Sequence, residues 1–272
     1  MKTIMVTGTS AGIGRAAALH FANKGWNVIA TMRSPEKETE LTEVQNVWVT
    51  HLDVENKESI QNAIEQGISK FGEIDVVVNN AGYGAFGIFE AATEEQIQRQ
   101  FDVNVFGLMR VTKAILPHFR KNRKGVIINV TSEGGRVTYP LFSLYHASKY
   151  AVNGFTESLL YELSPFNIRV KIVEPGPTKI EFTGRSKDAI QDTRLTDYSD
   201  FEQNINLMYQ NLFDPEQIAS PELVAEVIYK AAIDPSRQLR YHTGSDLMIE
   251  REELNDHEFI GKMAQRFGID IE

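Results

Sequence analysis

The chain predicts a doubly wound α/β fold, one domain with a parallel sheet flanked by helices, and three observations point to it. Lys2–Thr7 is a short apolar run of β type, followed by Gly8-Thr9-Ser10-Ala11-Gly12-Ile13-Gly14 and then a helical pattern, which reads as strand, glycine turn and helix start. Strand and helix patterns then alternate along the chain, and alternation of that kind builds a parallel sheet. Finally, 272 residues with 42% apolar side chains can fill the core of one large α/β domain spanning residues 1–272.

Taken in order, the patterns place strands near residues 3–7, 27–31, 46–51, 75–79, 126–131 and 168–173, with a last one around Leu239–His242. Helical patterns fall near 13–24, 56–70, 94–122, 143–163 and 221–233. The runs Val76-Val77-Val78, Val126-Ile127-Ile128 and Val170-Lys171-Ile172-Val173 suit central strands, which are covered on both faces. No internal repeat or low-complexity linker interrupts the series. Between about 183 and 220 polar and apolar residues mix without a period, among them Phe201, Leu207, Met208, Tyr209, Leu212 and Phe213. A segment that follows a late strand of such a fold lies over the carboxyl edge of the sheet, where ligands bind, so it is expected to be a substrate lid.

Composition excludes several classes. A net charge of −9 argues against a phosphate-backbone partner, so no nucleic acid is expected. The densest basic run, Arg120-Lys121-Asn122-Arg123-Lys124, closes a long helical segment, where cations meet the negative end of the helix dipole. With no cysteine there is neither disulfide nor thiolate metal site, and a cytoplasmic location is the natural expectation. His20, His51, His118, His146, His242 and His257 are scattered without metal-ligand spacing, so no metal is expected and each reads as a surface or packing histidine. No signal peptide is visible, and no apolar run approaches the ~18 residues of a membrane span.

The chemistry is concentrated in Tyr145-His146-Ala147-Ser148-Lys149. One helical turn apart, Tyr145 and Lys149 share a face, and a neighbouring cation favours the phenolate, lowering a pKa that is ordinarily about 10. In the N-terminal turn, Gly8 permits the tight bend, Gly12 admits a pyrophosphate close to the backbone and Gly14 lets the helix approach the strand. The amides at the start of the helix then face the phosphates.

Both features, in this order, resemble the short-chain dehydrogenase/reductase family. The resemblance runs from Thr7 to about Phe182 and rests on Thr7-Gly8-x-x-x-Gly12-x-Gly14, Asp53-Val54, Asn79-Asn80-Ala81-Gly82, Asn104, Ser132, Tyr145-x-x-x-Lys149 and Pro175-Gly176. It implies a nicotinamide-dependent oxidoreductase on a Rossmann-like domain with a seven-stranded parallel sheet. It also implies four catalytic residues. Ser132 would hydrogen-bond a substrate carbonyl, Tyr145 would move the proton, Lys149 would hold the nicotinamide ribose, and Asn104 would place a water in the relay to that lysine. The expected cofactor contacts are Gly8, Ser10, Gly12, Ile13 and Gly14, then Asp53 and Val54 at the adenine, Asn80, Ala81 and Gly82 beside the adenosine ribose, and Tyr145, Lys149, Pro175 and Gly176. The family's threonine after Pro-Gly is Ile180 here, so either Thr178 replaces it or the backbone makes that contact. A homodimer or homotetramer follows by resemblance alone.

Cofactor choice turns on the end of the second strand, where Met32 stands in place of the carboxylate of an NAD site and Arg33 follows. A guanidinium matches a 2′-phosphate in geometry and charge, so NADP(H) is favoured, with NAD(H) possible; Arg15, just after the third glycine, is a possible helper, although an arginine there occurs with either cofactor. Tyr83, Phe86, Val137, Tyr139, Phe142 and the lid apolars suggest an apolar alcohol or carbonyl substrate, unless they pack a core or subunit contact. The competing reading is a catalytically silent dinucleotide sensor on the same fold; retention of Ser132, Tyr145 and Lys149 together favours the enzyme. An epimerase or dehydratase with retained nicotinamide is disfavoured by the glycine spacing.

Overall fold

The computed structural model describes residues 1–179, 187–212, 218–243 and 246–271. Its strands are β1 (Thr3–Thr7), β2 (Asn27–Met32), β3 (Val47–His51), β4 (Val76–Asn79), β5 (Gly84–Phe86), β6 (Gly125–Val130), β7 (Ile168–Glu174), β8 (Lys187–Ala189) and β9 (Arg240–His242). The helices are α1 (Gly12–Asn23), α2 (Lys57–Phe71), α3 (Glu94–Phe101), α4 (Leu108–Asn122), α5 (Ser143–Leu163), α6 (Ser199–Leu212), α7 (Pro221–Ile233), α8 (Asp246–Glu253) and α9 (Asp256–Arg266). Seven strands form one parallel sheet in the order β3-β2-β1-β4-β6-β7-β9, and β5 pairs with β8 in a small ribbon.

Each central strand is apolar on both faces, and residue parity decides which layer a side chain joins. Ile4, Val28, Val76 and Ile128 pack with Ala17 and Phe21 of α1 and Val224 and Ile228 of α7 on one side. Their neighbours Met5, Ile29, Val77 and Ile127 pack with Ile60 and Ile64 of α2, Val111 and Ile115 of α4 and Leu159 of α5 on the other. Each such side chain contributes about 1.5–3 kcal/mol when removed from water, so the two layers hold the sheet firmly.

The expected helix over 94–122 is three pieces. Between α3 and α4 the backbone opens into a π-helical turn, Asp102–Gly107. Such turns cluster at functional sites, and this one directs Asn104 inward. The Asn104 amide accepts from Tyr83 N at 3.0 Å and donates to Tyr83 O at 2.8 Å and Ser148 Oγ at 3.1 Å. Three of the described helices lie beyond the expected series: α6, within the segment expected as a lid, and α8 and α9 near the C-terminus, where α9 begins with a capping box made by Asn255 and Glu258. Leu247 and Met248 of α8 and Phe259 and Met263 of α9 join Ile205 of α6 and Val137 and Leu141 in a third apolar cluster.

The strand order reverses beside β1: the chain winds outward through β2 and β3, then returns to β4 on the other flank. The crevice at the carboxyl ends of β1 and β4 is where this architecture binds ligands. Two glycines make it possible. Gly8 has φ +72° and a Cβ there would lie 2.9 Å from Ala81 Cα, while a Cβ on Gly14 would lie 2.2 Å from Gly8 O. Gly14→Ala should therefore cost about 1–3 kcal/mol by overpacking. For a chain of this length that is a fall of roughly 2–4 °C in Tm per kcal/mol, readable by calorimetry, and an unchanged Tm would contradict the packing described.

Candidate active site

The glycine turn leads directly into α1, whose N-cap residue Ala11 makes no side-chain cap and whose first turn carries no acid. The first amides of that helix are therefore left for a ligand. Across the crevice, Thr7 Oγ1 accepts from Asn80 N at 2.9 Å and Ala81 N at 3.0 Å, and Asn80 Nδ2 donates to Thr7 O at 2.9 Å. The turn after β1 and the Asn-Asn-Ala-Gly segment after β4 are thus one unit.

These segments open onto a cavity of about 1130 Å³ that runs on to Ser132, Tyr145 and Lys149. Every site residue expected from the sequence lines it except Gly14 and Asn104. Gly14 lies beneath the turn, where it is needed for packing. Asn104 is 3% exposed, and its side chain is committed to Tyr83 and Ser148, so it fastens the segment after β4 to α5 instead of reaching into the cavity.

Ser132 follows β6 at the head of a tight turn, Glu133–Gly135, and its Oγ accepts from Gly134 N at 3.0 Å. Its hydroxyl lies beside the Tyr145 phenol and favours the phenolate. Burial pushes that phenol up to about 12, with the Ser132 hydroxyl acting against the shift and the Glu133 charge acting with it. The depression expected from the Lys149 ammonium is absent: loss of water around the phenolate sets the direction, and the group that opposes it is Ser132, not Lys149. Lys149 is itself pulled down to about 8 by burial. Its Nζ donates to Val130 O at 3.2 Å and lies 5.6 Å from the Tyr145 ring centre.

One face of α5 grips the serine turn. His146 shares a hydrogen bond with Gly134 O at 2.8 Å through Nδ1 and accepts from Tyr139 N at 2.8 Å through Nε2, which defines the neutral tautomer. Burial holds its pKa below the ordinary value. It is the packing histidine the sequence suggests. Tyr139 in turn donates to Glu133 Oε1 at 2.6 Å.

The far wall is aromatic: Phe86, Tyr139, Phe142 and Tyr209 line it, with the Phe86 and Phe142 rings 4.7 Å apart edge to face. Val137, expected here, is instead wholly buried in the third apolar cluster. Of the expected lid, residues 183–186 and 213–217, Phe213 among them, lie outside the described residues, as does Ile180. Its described part supplies Asp188, Asn206, Tyr209 and Ile218 to the cavity, and Tyr209 Oη donates to Pro140 O at 2.7 Å. Phe201 and Met208 turn to the apolar cluster and Leu207 to solvent. Thr178 faces the cavity while its hydroxyl donates to Gly176 O at 2.8 Å.

At the other end, exposed Arg33 is joined by Ser34 and Lys37, two cavity residues the sequence reading did not single out. Position after β2 was the available signal for both. Arg15, a possible helper to Arg33, is engaged elsewhere: its guanidinium meets Glu38 and Glu40, each at 2.8 Å. The donors at this end, a free helix start, a cradle that a glycine Cβ would fill and two cations, fit a nicotinamide dinucleotide. Among the described residues no group of side chains could hold a metal ion, and no helix is long and apolar enough to cross a membrane.

The short-chain dehydrogenase family model matches residues 2–191. An uncharacterized oxidoreductase of Schizosaccharomyces pombe is 40% identical over 243 residues, which cover 88% of this chain and 100% of the yeast protein. The 3-ketodihydrosphingosine reductase of Bacteroides thetaiotaomicron is 39% identical over 199 residues, 73% of this chain and 72% of that protein. A short-chain dehydrogenase from Streptomyces avermitilis, known from its crystal structure, superposes with a TM-score of 0.81 at 31% identity, covering 96% of this chain and 97% of the other. The chain belongs to the short-chain dehydrogenases and is an oxidoreductase acting on CH–OH or C=O groups with a nicotinamide cofactor.

Proposed function

We propose that this enzyme interconverts an apolar alcohol and its ketone or aldehyde, prefers NADP(H), and uses Tyr145 as general acid and base. The observation that carries the reading is the convergence of Ser132, Tyr145 and Lys149 in the wall of one cavity that also takes in the glycine turn. A nicotinamide bound there supplies or takes up the hydride. The chain's own groups handle the rest. Ser132 donates to the substrate oxygen, on which negative charge develops during reduction. Tyr145, with its pKa at about 12, keeps its proton at neutral pH and gives it to that oxygen. Lys149 uses one of its three N–H groups on Val130 O, leaving two for the ribose hydroxyls. Asn104 acts by holding Tyr83 and Ser148 in place.

The preference for NADP(H) rests on Arg33 and Lys37, with the Ser34 hydroxyl between them in sequence; Glu38, which follows Lys37 in the wall, is already paired with Arg15. The aromatic wall supports an apolar substrate. The name of the Bacteroides relative supports a ketone. The described part of 183–220 acts as the lid through α6, whose Asn206 and Tyr209 reach the cavity. Phe106 and Tyr161, 43% and 76% exposed on the helical segments around α4 and α5, support a homo-oligomer. Absence of cysteine supports a cytoplasmic location.

The pH dependence of reduction tests the assignment. With Lys149 at about 8 and Tyr145 at about 12, both groups are protonated at neutral pH, and the first proton lost as pH rises is that of Lys149. kcat/KM for NADPH reports the free enzyme. With a straight-chain aldehyde at saturation it should stay flat up to about pH 8 and fall above it as the ammonium is lost. A value that rises through this range would contradict these roles.

A further inference from the structure

We propose that Glu174 and Asn153, neither of which touches the cavity, are positioning residues: the buried chain Arg240–Glu174–Asn153–Gly135 holds the turn bearing Ser132 against α5 and so keeps the serine hydroxyl and the Tyr145 phenol within reach of each other. The inference rests on the reading of Ser132 and Tyr145 given above.

Glu174 ends β7, and its side chain is wholly shielded from solvent. Its Oε1 accepts from Asn153 Nδ2 at 3.2 Å and from Arg240 Nη1 of β9, and Arg240 reaches on to Glu157 of α5. A buried ion pair is a poor source of stability, because an apolar pair of the same volume commonly serves as well or better. What this one does is fix an orientation. The Asn153 amide has two N–H groups, and both are placed: one on Glu174, the other on Gly135 O at 3.1 Å. Flipping the amide would set its oxygen against a carboxylate and a carbonyl together, so the charge on Glu174 keeps Asn153 donating to the serine turn. The contact is flush, since a Cβ on Gly135 would lie 2.7 Å from Asn153 Nδ2.

The chain completes a pattern along α5. His146, Lys149 and Asn153 lie on one face, three and four residues apart, and bond Gly134 O, Val130 O and Gly135 O in turn. Tyr145 rides on the same helix. Glu174 adds a third segment, because the next residue, Pro175, accepts through its carbonyl from Glu133 N at 2.8 Å and lines the cavity with Gly176. The serine turn, the tyrosine helix and the Pro-Gly loop therefore meet at one buried carboxylate.

The test compares Asn153→Ala, Glu174→Gln, their double variant and Ser132→Ala. For each, kcat is measured with NADPH and the apolar carbonyl that the wild type reduces fastest, NADPH affinity by fluorescence, and Tm. A displacement of an ångström in a reacting group costs on the order of 100-fold in rate. Each single variant should thus lose roughly 10- to 100-fold in kcat and hold NADPH within about threefold of wild type. The double variant should be no worse than about twofold below the weaker single, because both break one chain. Arg240→Lys, which keeps the charge, should retain most of kcat. A folded Asn153→Ala with wild-type kcat, beside an inactive Ser132→Ala, overturns the positioning role alone. Wild-type kcat in Ser132→Ala overturns the reading beneath it. Losses that multiply in the double variant, with Tm and NADPH affinity falling in step, mark a purely structural role and also overturn the proposal. If Glu174→Gln does not fold, Asn153→Ala carries the test.

Discussion

Tyr145→Phe should lower turnover by roughly 10³-fold, within the span that a positioned proton donor contributes, while NADPH affinity stays within about threefold. That loss corresponds to about 4 kcal/mol of transition-state stabilisation. The variant keeps the ring, its edge contact with Phe142 at 6.0 Å between centres, and the helix that carries Lys149, so the cavity keeps its shape. It removes only the hydroxyl that Ser132 meets. Stopped-flow oxidation of NADPH separates chemistry from binding, and retention of more than about a tenth of the wild-type rate would show that another group delivers the proton.

The second large effect is on cofactor choice. Arg33→Ala with Lys37→Ala should weaken NADPH by roughly 30- to 300-fold, about 2–3.4 kcal/mol for the pair, because solvent screening of two exposed cations holds the sum near the value of one charged hydrogen bond. NADH lacks the 2′-phosphate and should change by less than about threefold. Both side chains are exposed at the cavity rim, so the fold should tolerate the change. Fluorescence titration with both cofactors decides the matter: equal losses would mean that the pair shapes the loop after β2 without reading the phosphate.

Much of this architecture is legible in the residues because sheet burial writes it there. Val76-Val77-Val78 and Val126-Ile127-Ile128 are apolar without alternation since both faces of β4 and β6 are covered, and a run like that admits little else. α5 and α7 fall at 143–163 and 221–233, as their periodicity predicts. The break at Asp102–Gly107 was not legible, because a π turn needs no particular residue; within it the side chain of Asn104 reaches Tyr83 and Ser148, contacts that only the folded chain brings together. The C-terminal helices did leave a signal, the pair Asn255 and Glu258 at capping-box spacing followed by Phe259 and Met263.

At the site, spacing placed Tyr145 and Lys149 together, yet the direction of the tyrosine pKa depends on how much water the fold removes, which no local pattern records. The hub at Glu174 was hidden for a similar reason. Its partners come from α5 and β9, 21 and 66 residues away in the chain, and only the completed sheet brings them together. Arg15 shows the converse: its place after the glycine turn suggested a cofactor contact, and Glu38 and Glu40, 23 and 25 residues on, claimed it first.

The most direct test of the account is steady-state oxidation of NADPH and NADH by the wild type across straight-chain aldehydes, methyl ketones and aryl ketones. The account predicts turnover of at least one apolar carbonyl, faster with NADPH than with NADH. Tight NADPH binding with no oxidation on any member of the panel would contradict it.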